Sequence, residues 1–528
     1  MKKCALRILL VIVLALGTAA GAWAGTIYVK ANATGANTGR SWANAYKDLQ
    51  TALAHTQSGD EVWVASSTYK PTAGTNPTIS FVMTAGVGIY GGFSGTETAR
   101  AQRDWAAHKT TLSGDIGTLG TDFGNSYHEV VGANSAVLDG FTITCAYDGG
   151  YGDACGMIND SVSPAIVNCT FSDNNLAGIR NCNRGSPTVT NCMFGGNDGN
   201  GMYNDGNLNF SPTVTDCTFS GNGGAGIGNG GGSPTVTNCT FSDNNGGGMC
   251  NSGSSPTVTN CTFSGNTASN GGGMYNYDGA PKVTNCTFSG NMASNGGGMY
   301  NSAASPTVTN CILYGDNETH GPEVYMSGGN PTFRHCDIQG SGGSGTHWNP
   351  SQGTDGGGNI MIPPRFVDAV NPAGPDGIWR TADDGLAQTS DSPCIDAGLA
   401  AGAPATDVLG NPRVGAPDIG AYEFLPETIS KPGKPTGEPT SQVEQSYTYS
   451  TSGAVSSLGH PVEYSFDWGD GNSSAWSSST SASHTWANMV PYQVSVTARC
   501  QLHPTVTNIS DPLSVNVVPV ELSFFDIQ

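Results

Sequence analysis

The sequence predicts an all-β chain: a right-handed parallel β-helix (solenoid) with an N-terminal capping helix, then a small C-terminal β-sandwich. Three observations predict it. Cys169, Cys192, Cys217, Cys239, Cys261, Cys286, Cys311 and Cys336 recur every 22 to 25 residues in one motif, most clearly S-P-T-V-T-N-C-T-F-S-G-N. A fixed period of this size means stacked units rather than one globular core. Each unit also alternates: an apolar residue stands three before the cysteine (Ile166 through Val308 to Phe333) and another two after it (Phe171 to Ile338), with Thr and Ser between. Finally, proline lies five before every cysteine, from Pro164 to Pro331, and no helical apolar period of any length interrupts the repeat. Short strands separated by tight turns account for all three.

The elements follow in order. Residues 1–24 carry Lys2, Lys3, an apolar run from Ile8 to Leu16 and Ala22-Trp23-Ala24, which reads as a cleaved secretory signal peptide. An entry region follows from residue 25 to about 136. There Thr26–Val29 reads as a strand, and Ser41 to Ala54 has the apolar spacing of a short amphipathic helix. Such a helix caps the open end of a solenoid, whose strand edges otherwise invite aggregation. Glu61 to Val64 begins the coils, which are regular over about 136–340 and irregular over a closing segment, 341–425. The Pro- and Gly-rich stretch 426–439 reads as a linker, and 440–528 as a separate domain.

Stacked coils place like residues on like. Asn168, Asn191, Asn238, Asn260, Asn285 and Asn310, each just before a cysteine, are expected to form an asparagine ladder in a turn, with Asp216 and His335 in the same place. One cysteine per coil, facing inward from parallel strands, suits buried free thiols better than disulfides. Cys145 and Cys155 are the expected exception. No C-x-x-C or paired Cys/His spacing suggests zinc.

Composition narrows the partners. Asp and Glu number 41 against 20 Lys and Arg, a formal net charge of −21, with 76 glycines and 12% charged residues. A strongly acidic chain lacks the footprint for nucleic acid, and polyanionic glycans would need bridging calcium. No segment beyond the signal peptide is apolar enough to span a bilayer. The expectation is an exported protein, extracellular or at the outer cell surface, acting as a monomer.

The N-terminal segment, the G-G-G-M-Y-N and N-C-T-F-S-G-N repeats and the exit region resemble bacterial secreted β-helix proteins of the pectate-lyase-like superfamily. Ser392-Pro393-Cys394-Ile395-Asp396-Ala397-Gly398, Gly410-Asn411-Pro412-Arg413 and Asp418-Ile419-Gly420-Ala421-Tyr422-Glu423 resemble the closing segment of choice-of-anchor Q proteins. The repeats are also similar to those of polymorphic outer-membrane proteins. Tyr464-Ser465-Phe466-Asp467-Trp468-Gly469-Asp470-Gly471, His484-Thr485-Trp486 and Tyr492 to Val496 resemble a PKD (polycystic-kidney-disease-type) Ig-like module, with Trp486 where the family pattern has tyrosine. The resemblance implies a spacer or contact surface for that domain; Asp467 and Asp470 read as turn formers rather than ligands.

Chemistry concentrates on one outward position. In each G-G-G-M-Y-N strand the residue after the apolar one varies, and it is tyrosine at Tyr203, Tyr275, Tyr300 and Tyr325. The last three are 25 residues apart and stack in successive coils. Ordered tyrosines suit sugar rings; like-on-like stabilisation of the sheet explains them as well. Asp376, Asp383 and Asp384 cluster on a loop as candidate calcium ligands, the one cofactor suggested.

Catalysis has weaker support. Arg180, Arg184, Lys282 and Arg334 share no outward register for a lyase base. Asp173 and Asp243 lie three coils apart, too far for a glycosidase pair. Tyr147, Asp148, Tyr151 and Asp153 fall in an irregular loop. Gly226 to Gly231 fits G-x-G-x-x-G but opens no helix, and sequons such as Asn260-Cys261-Thr262 fall on the turn ladder. The expectation is a non-catalytic face for carbohydrate or surface-protein binding. A polysaccharide lyase or glycoside hydrolase is the alternative, and a purely structural rod the third reading.

Overall fold

Asparagine is one of the few L-residues that enters the left-handed backbone region at low cost, and this sets where each coil bends. Asn168, Asn191, Asn238, Asn260, Asn285 and Asn310, with Asp216 and His335, all have φ between 49° and 55°. Each joins a Thr-Val-Thr-type strand to a Thr-Phe-Ser-type strand. At the next bend Gly196, Gly221, Gly265, Gly290, Gly315 and Gly340 have positive φ, and Asp173 and Asp243 take the same place at 55° and 56°. The two aspartates are thus turn formers.

The computed structural model describes residues 25–520 except 119–123, 148–153, 207–209, 319–322, 458 and 503. The expected signal peptide, Asp148, Tyr151 and Asp153 lie outside the described residues. The chain divides into two compact units between Phe424 and Leu425. In the first, the repeated bends wind three long parallel sheets of 13, 10 and 11 strands among the described residues. One sheet runs from Thr26–Val29 to Thr354–Asp355 and holds the Thr-Val-Thr strands. The second, from Phe81–Val82 to Val324–Ser327, holds the Met-Tyr-Asn strands; the third, from Thr68–Tyr69 to Asp337–Ile338, holds the Thr-Phe-Ser strands. Register is strict: Val258 pairs with Val236 and Val283, Phe263 with Phe241 and Phe288, and Met274 with Met249 and Met299.

The interior is layered by residue type. Phe171, Phe194, Phe219, Phe241, Phe263 and Phe288 are fully buried and stack with centroids 4.4 to 5.1 Å apart. Each contributes roughly 2 kcal/mol of burial free energy. The eight ladder cysteines are buried free thiols. The Cys261 N–H points at Cys286 Sγ at 3.4 Å, and the Cys261 thiol donates to the Thr259 carbonyl at 3.2 Å. Cys145 and Cys155 are free as well, which corrects the expected exception. Cys145 lies just past the third-sheet strand Thr142–Thr144, while Cys155 opens the second-sheet strand Cys155–Asp160, where its Sγ faces His128 Nδ1 at 3.2 Å.

Three columns of amide side chains run along the solenoid. The expected one at the first bend is present: Asn191 donates to Asn168 at 2.6 Å and Asn310 to Asn285 at 3.2 Å. Two more are fully interior. Asn174, Asn197, Asn222, Asn244, Asn266 and Asn291 each donate to the next at 2.7 to 3.0 Å, ending on Asp316. Members of this column also donate to phenylalanine carbonyls, as Asn266 does to Phe241 at 2.9 Å. Asn159, Asn181, Asn204, Asn229, Asn251, Asn276 and Asn301 form the third, with links of 2.7 to 2.9 Å. Amide side chains carry both donors and an acceptor, so a column satisfies itself where water is excluded.

The entry helix is shorter than the periodicity suggests. Only Leu49–Leu53 is helical, with Asp48 accepting from the Thr51 N–H as N-cap at 2.7 Å. Upstream, Ser41 and Asn44 bond each other, and Tyr46 pairs with Tyr28 through the backbone. Short polar side chains with local partners defeat the first turns of a helix. Leu49, Ala52 and Leu53 still bury into the core beside the first strands.

The second unit is β throughout its regular structure. Thr440–Gln442, Leu513–Val518, Pro491–Cys500, Val462–Asp467 and Thr507–Ile509 form one sheet, and Ser446–Ser450 with Ser481–Thr485 the other. Trp468, Trp486, Tyr449, Phe466, Val494 and Val496 fill its core. Asp467 and Asp470 each accept a backbone N–H two residues on, as turn formers do, and Asp470 also meets His484 at 2.7 Å. The stretch expected as a linker packs here instead: Ile429 is buried and bridged to Ser456, and Thr436 is bridged to Ser450.

Breaking an interior column should cost far more than breaking the outer one. In urea unfolding of the full chain, Asn266→Ala is expected to lose about 2–4 kcal/mol, because buried amides lose partners. Asn191→Gly keeps the backbone conformation at an exposed link and should lose about 1 kcal/mol or less. Equal losses would contradict the assignment.

Candidate functional site

The second sheet turns alternate side chains outward, and this places the tyrosines. Met274, Met299 and Val324 are buried while Tyr275, Tyr300 and Tyr325, one residue on, are half-buried on the outer face. Tyr275 and Tyr300 have ring centroids 5.4 Å apart at 17°, and Tyr300 and Tyr325 5.3 Å apart at 7°. Near-parallel rings at this separation are offset, so each covers part of its neighbour and leaves edge and hydroxyl outward. No hydrogen bond among the described residues uses these three hydroxyls. Burial beside Cys250 and Tyr300 raises the Tyr275 hydroxyl pKa, so it stays a neutral donor.

Tyr203 does not join the stack. Gly228 and Cys250 occupy the column between it and Tyr275. It sits instead beside Asp205, which pairs with Arg180 at 2.7 Å.

A feature missed in the sequence flanks the three tyrosines. The coils that carry them are three residues longer than the shortest coils, and the extra residues build a fourth, short sheet from Thr267–Asn270, Met292–Asn295 and Asn317–Glu318. Asn295 donates to Asn270 at 2.9 Å across it. Met292 is half exposed here, and on the tyrosine side Tyr277 is equally open, at 52% and 48%. The run of three successive 25-residue spacings from Cys261 to Cys336 carried this signal.

The candidate calcium ligands are not brought together. Asp384 turns inward, where its carboxylate accepts from Tyr422 Oη at 2.7 Å and the Arg380 N–H at 2.9 Å. Burial raises its pKa to about 6. Asp383 accepts from Thr381 Oγ1 at 2.6 Å and Asp376 from the Ile378 N–H at 2.7 Å, both in exposed turns. The Asp376 backbone lies against the Asp383 carboxylate in these exposed turns, while the Asp384 carboxylate points the other way, into the interior.

The closing segment is explained by docking on the outer asparagine column. Asn285 donates to the carbonyls of Asp418 and Gly420 at 3.0 and 3.2 Å. Asn310 donates to Leu399 O at 2.9 Å and accepts from its N–H at 2.7 Å. Arg413 reaches Asn260 Oδ1 at 3.1 Å and forms a buried pair with Glu423 at 2.9 Å. The two exceptions in the column also find partners there: Arg380 lies 3.7 Å from Asp216, and His335 Nδ1 lies 3.1 Å from Ala397 O. Cys394 Sγ donates to Asp337 Oδ2 at 3.4 Å, deep beneath this segment.

Two further clusters hold reactive side chains. Glu129 is fully buried near Cys145, neither of its carboxylate oxygens has a hydrogen-bond partner among the described residues, and burial drives its pKa well up. The same burial raises the Cys155 thiol, so the Cys155–His128 contact holds no activated nucleophile. In the second unit Glu427, His460 and Cys500 bring one ligand atom each to within 4.8 Å of one another.

Comparisons with known proteins agree with this geometry. A family model described as "right handed beta helix region" matches residues 205–355, and a model for a protein of unknown function, DUF1565, matches residues 31–207. The crystal structure of pectate lyase Pel9A superposes with a TM-score of 0.51 at 14% identity, covering 76% of this chain and 97% of that one. The first unit is therefore a right-handed parallel β-helix with a pectate-lyase-like fold. A rhamnogalacturonan lyase (TM-score 0.33, 12% identity, 70% of this chain and 97% of that one) is more distant. The PKD domain of an M14-like peptidase from a Thermoplasmatales archaeon also matches (TM-score 0.15, 25% identity, 17% of this chain and 95% of that one). No curated protein matches the sequence. No helix among the described residues is long and apolar enough to cross a membrane.

The buried Asp337 makes the first unit sensitive to pH. Desolvation lifts its pKa from the model-peptide value of 3.8 to about 7. Between those values the folded state holds a proton that the unfolded chain releases, so stability falls as pH rises through this window. Denaturant midpoints should be higher at pH 5 than at pH 8, and Asp337→Asn should remove part of that difference. An unchanged difference in the variant would contradict the assignment.

Proposed function

We propose that this is an exported protein that holds a neutral or weakly charged polysaccharide along the outer face of its second sheet. The observation that carries the reading is the stack of Tyr275, Tyr300 and Tyr325, three ordered rings with centroids 5.4 and 5.3 Å apart on the outer face. The apolar edges and polar tips that the stack leaves outward suit sugars through apolar contact and hydroxyl pairing, and rings fixed by their neighbours lose little entropy on binding. The short sheet beside them supplies Asn270, Asn295 and Met292 as a flank. The formal charge of −21 favours a ligand without carboxylates or sulfates. The second unit, similar in its motifs to PKD modules, serves as spacer or accessory contact. A protein partner on the cell surface is the second occupant of the same face.

A panel of immobilised polysaccharides, read for retention and for released products, tests this reading. Tyr300→Ala should weaken retention about tenfold, the equivalent of ~1.4 kcal/mol, while the unfolding midpoint moves little. Unchanged retention at equal stability removes the stack from binding. Unsaturated or reducing-end products would make the protein an enzyme instead.

A further inference from the structure

In the second unit, Glu427, His460 and Cys500 lie 33 and 40 residues apart in sequence, so no local spacing draws attention to them. Folding brings them together from three separate segments. Cys500 ends the strand Pro491–Cys500 and stands opposite Val462; His460 lies two residues before that partner strand. Glu427 enters beside them, with its neighbour Thr428 bonded to Ser457 through both N–H and carbonyl. Glu427 Oε1 is 3.1 Å from His460 Nδ1, and His460 Nδ1 is 3.8 Å from Cys500 Sγ. Ser456 Oγ donates to the same Glu427 oxygen at 2.5 Å, fixing the carboxylate from behind. Cys500 and the Glu427 side chain are buried, while His460 keeps about a third of its side chain in solvent.

We propose that these three residues bind one zinc ion. A tetrahedral zinc with N, O and S bonds of about 2.0–2.3 Å has ligand–ligand edges of about 3.3–3.7 Å, and the two measured separations straddle that range. One thiolate, one imidazole and one carboxylate form a borderline-soft set that selects zinc over calcium or magnesium. Imidazole, thiolate and carboxylate all bind metal in their deprotonated forms, so affinity falls with falling pH. The serine behind Glu427 is the outer-shell partner that orients a ligating carboxylate. Bound metal ties the segment entering the second unit to the end of its longest strand, so its binding free energy adds to the stability of that unit.

Cobalt(II), which reports thiolate ligation by colour, is the probe. The purified full chain, stripped with chelator, should take up one equivalent with a thiolate-to-cobalt charge-transfer band and tetrahedral d–d bands, all discharged by zinc. Cys500→Ala should abolish the charge-transfer band. His460→Gln, at a partly exposed position that leaves no cavity, should weaken binding roughly 100-fold or more. Near-ultraviolet circular dichroism checks that each variant is folded; if Cys500→Ala is not, His460→Gln decides. No band in the wild type, or full-strength binding in either folded variant, overturns the proposal.

Discussion

Strict coil-on-coil register, held by interior columns of asparagine, is the constraint on which the first unit depends. A coil displaced by one residue would bury threonine and expose phenylalanine, because alternate side chains face opposite sides. Apolar packing alone tolerates some sliding along the axis. Each buried amide does not, since it must give a hydrogen to one neighbour and take one from the other. Asn244, for example, bonds Asn266 at 2.8 Å and the Phe219 carbonyl at 3.0 Å, and loses both in any other register.

This register turns a variable surface position into an ordered array. Once Met249, Met274 and Met299 are stacked inside, the residues beside them must stack outside. The longer coils insert their additional residues at a bend rather than in a strand, so the sheets pass through unchanged and the new strands pair with each other. Function of this kind needs no cleft. Repetition supplies length, and a few coils with tyrosine and an enlarged bend supply chemistry. The outer asparagine column has a comparable second use, because the closing segment bonds to groups that a bare solenoid leaves to water.

The solenoid was legible because its signals repeat. The inward Val, Cys and Phe columns, the outer asparagine ladder and the free ladder thiols all follow from period and alternation. The two interior asparagine columns escaped notice because Asn266 and Asn276 look like ordinary turn and strand polars until burial is known. The entry helix was overread, since Ser41, Asn44 and Tyr46 found partners outside a helix. Residues 426–439 have a linker's composition, yet their backbone adds to the second unit. Asp376, Asp383 and Asp384 are close in sequence but point to different partners. Glu427, His460 and Cys500 are the converse case, distant in sequence and adjacent in space. Chemistry carried by a single copy of a residue leaves no period to read.

Everything in this reading turns on the tyrosine-bearing coils being the binding face. The most direct measurement is photo-crosslinking of the best-retained oligosaccharide to the full chain, with the labelled peptides identified by mass spectrometry. Labels confined to residues 267–327 are the result this account predicts. Labels concentrated in the closing segment 341–424 or in the second unit would contradict it.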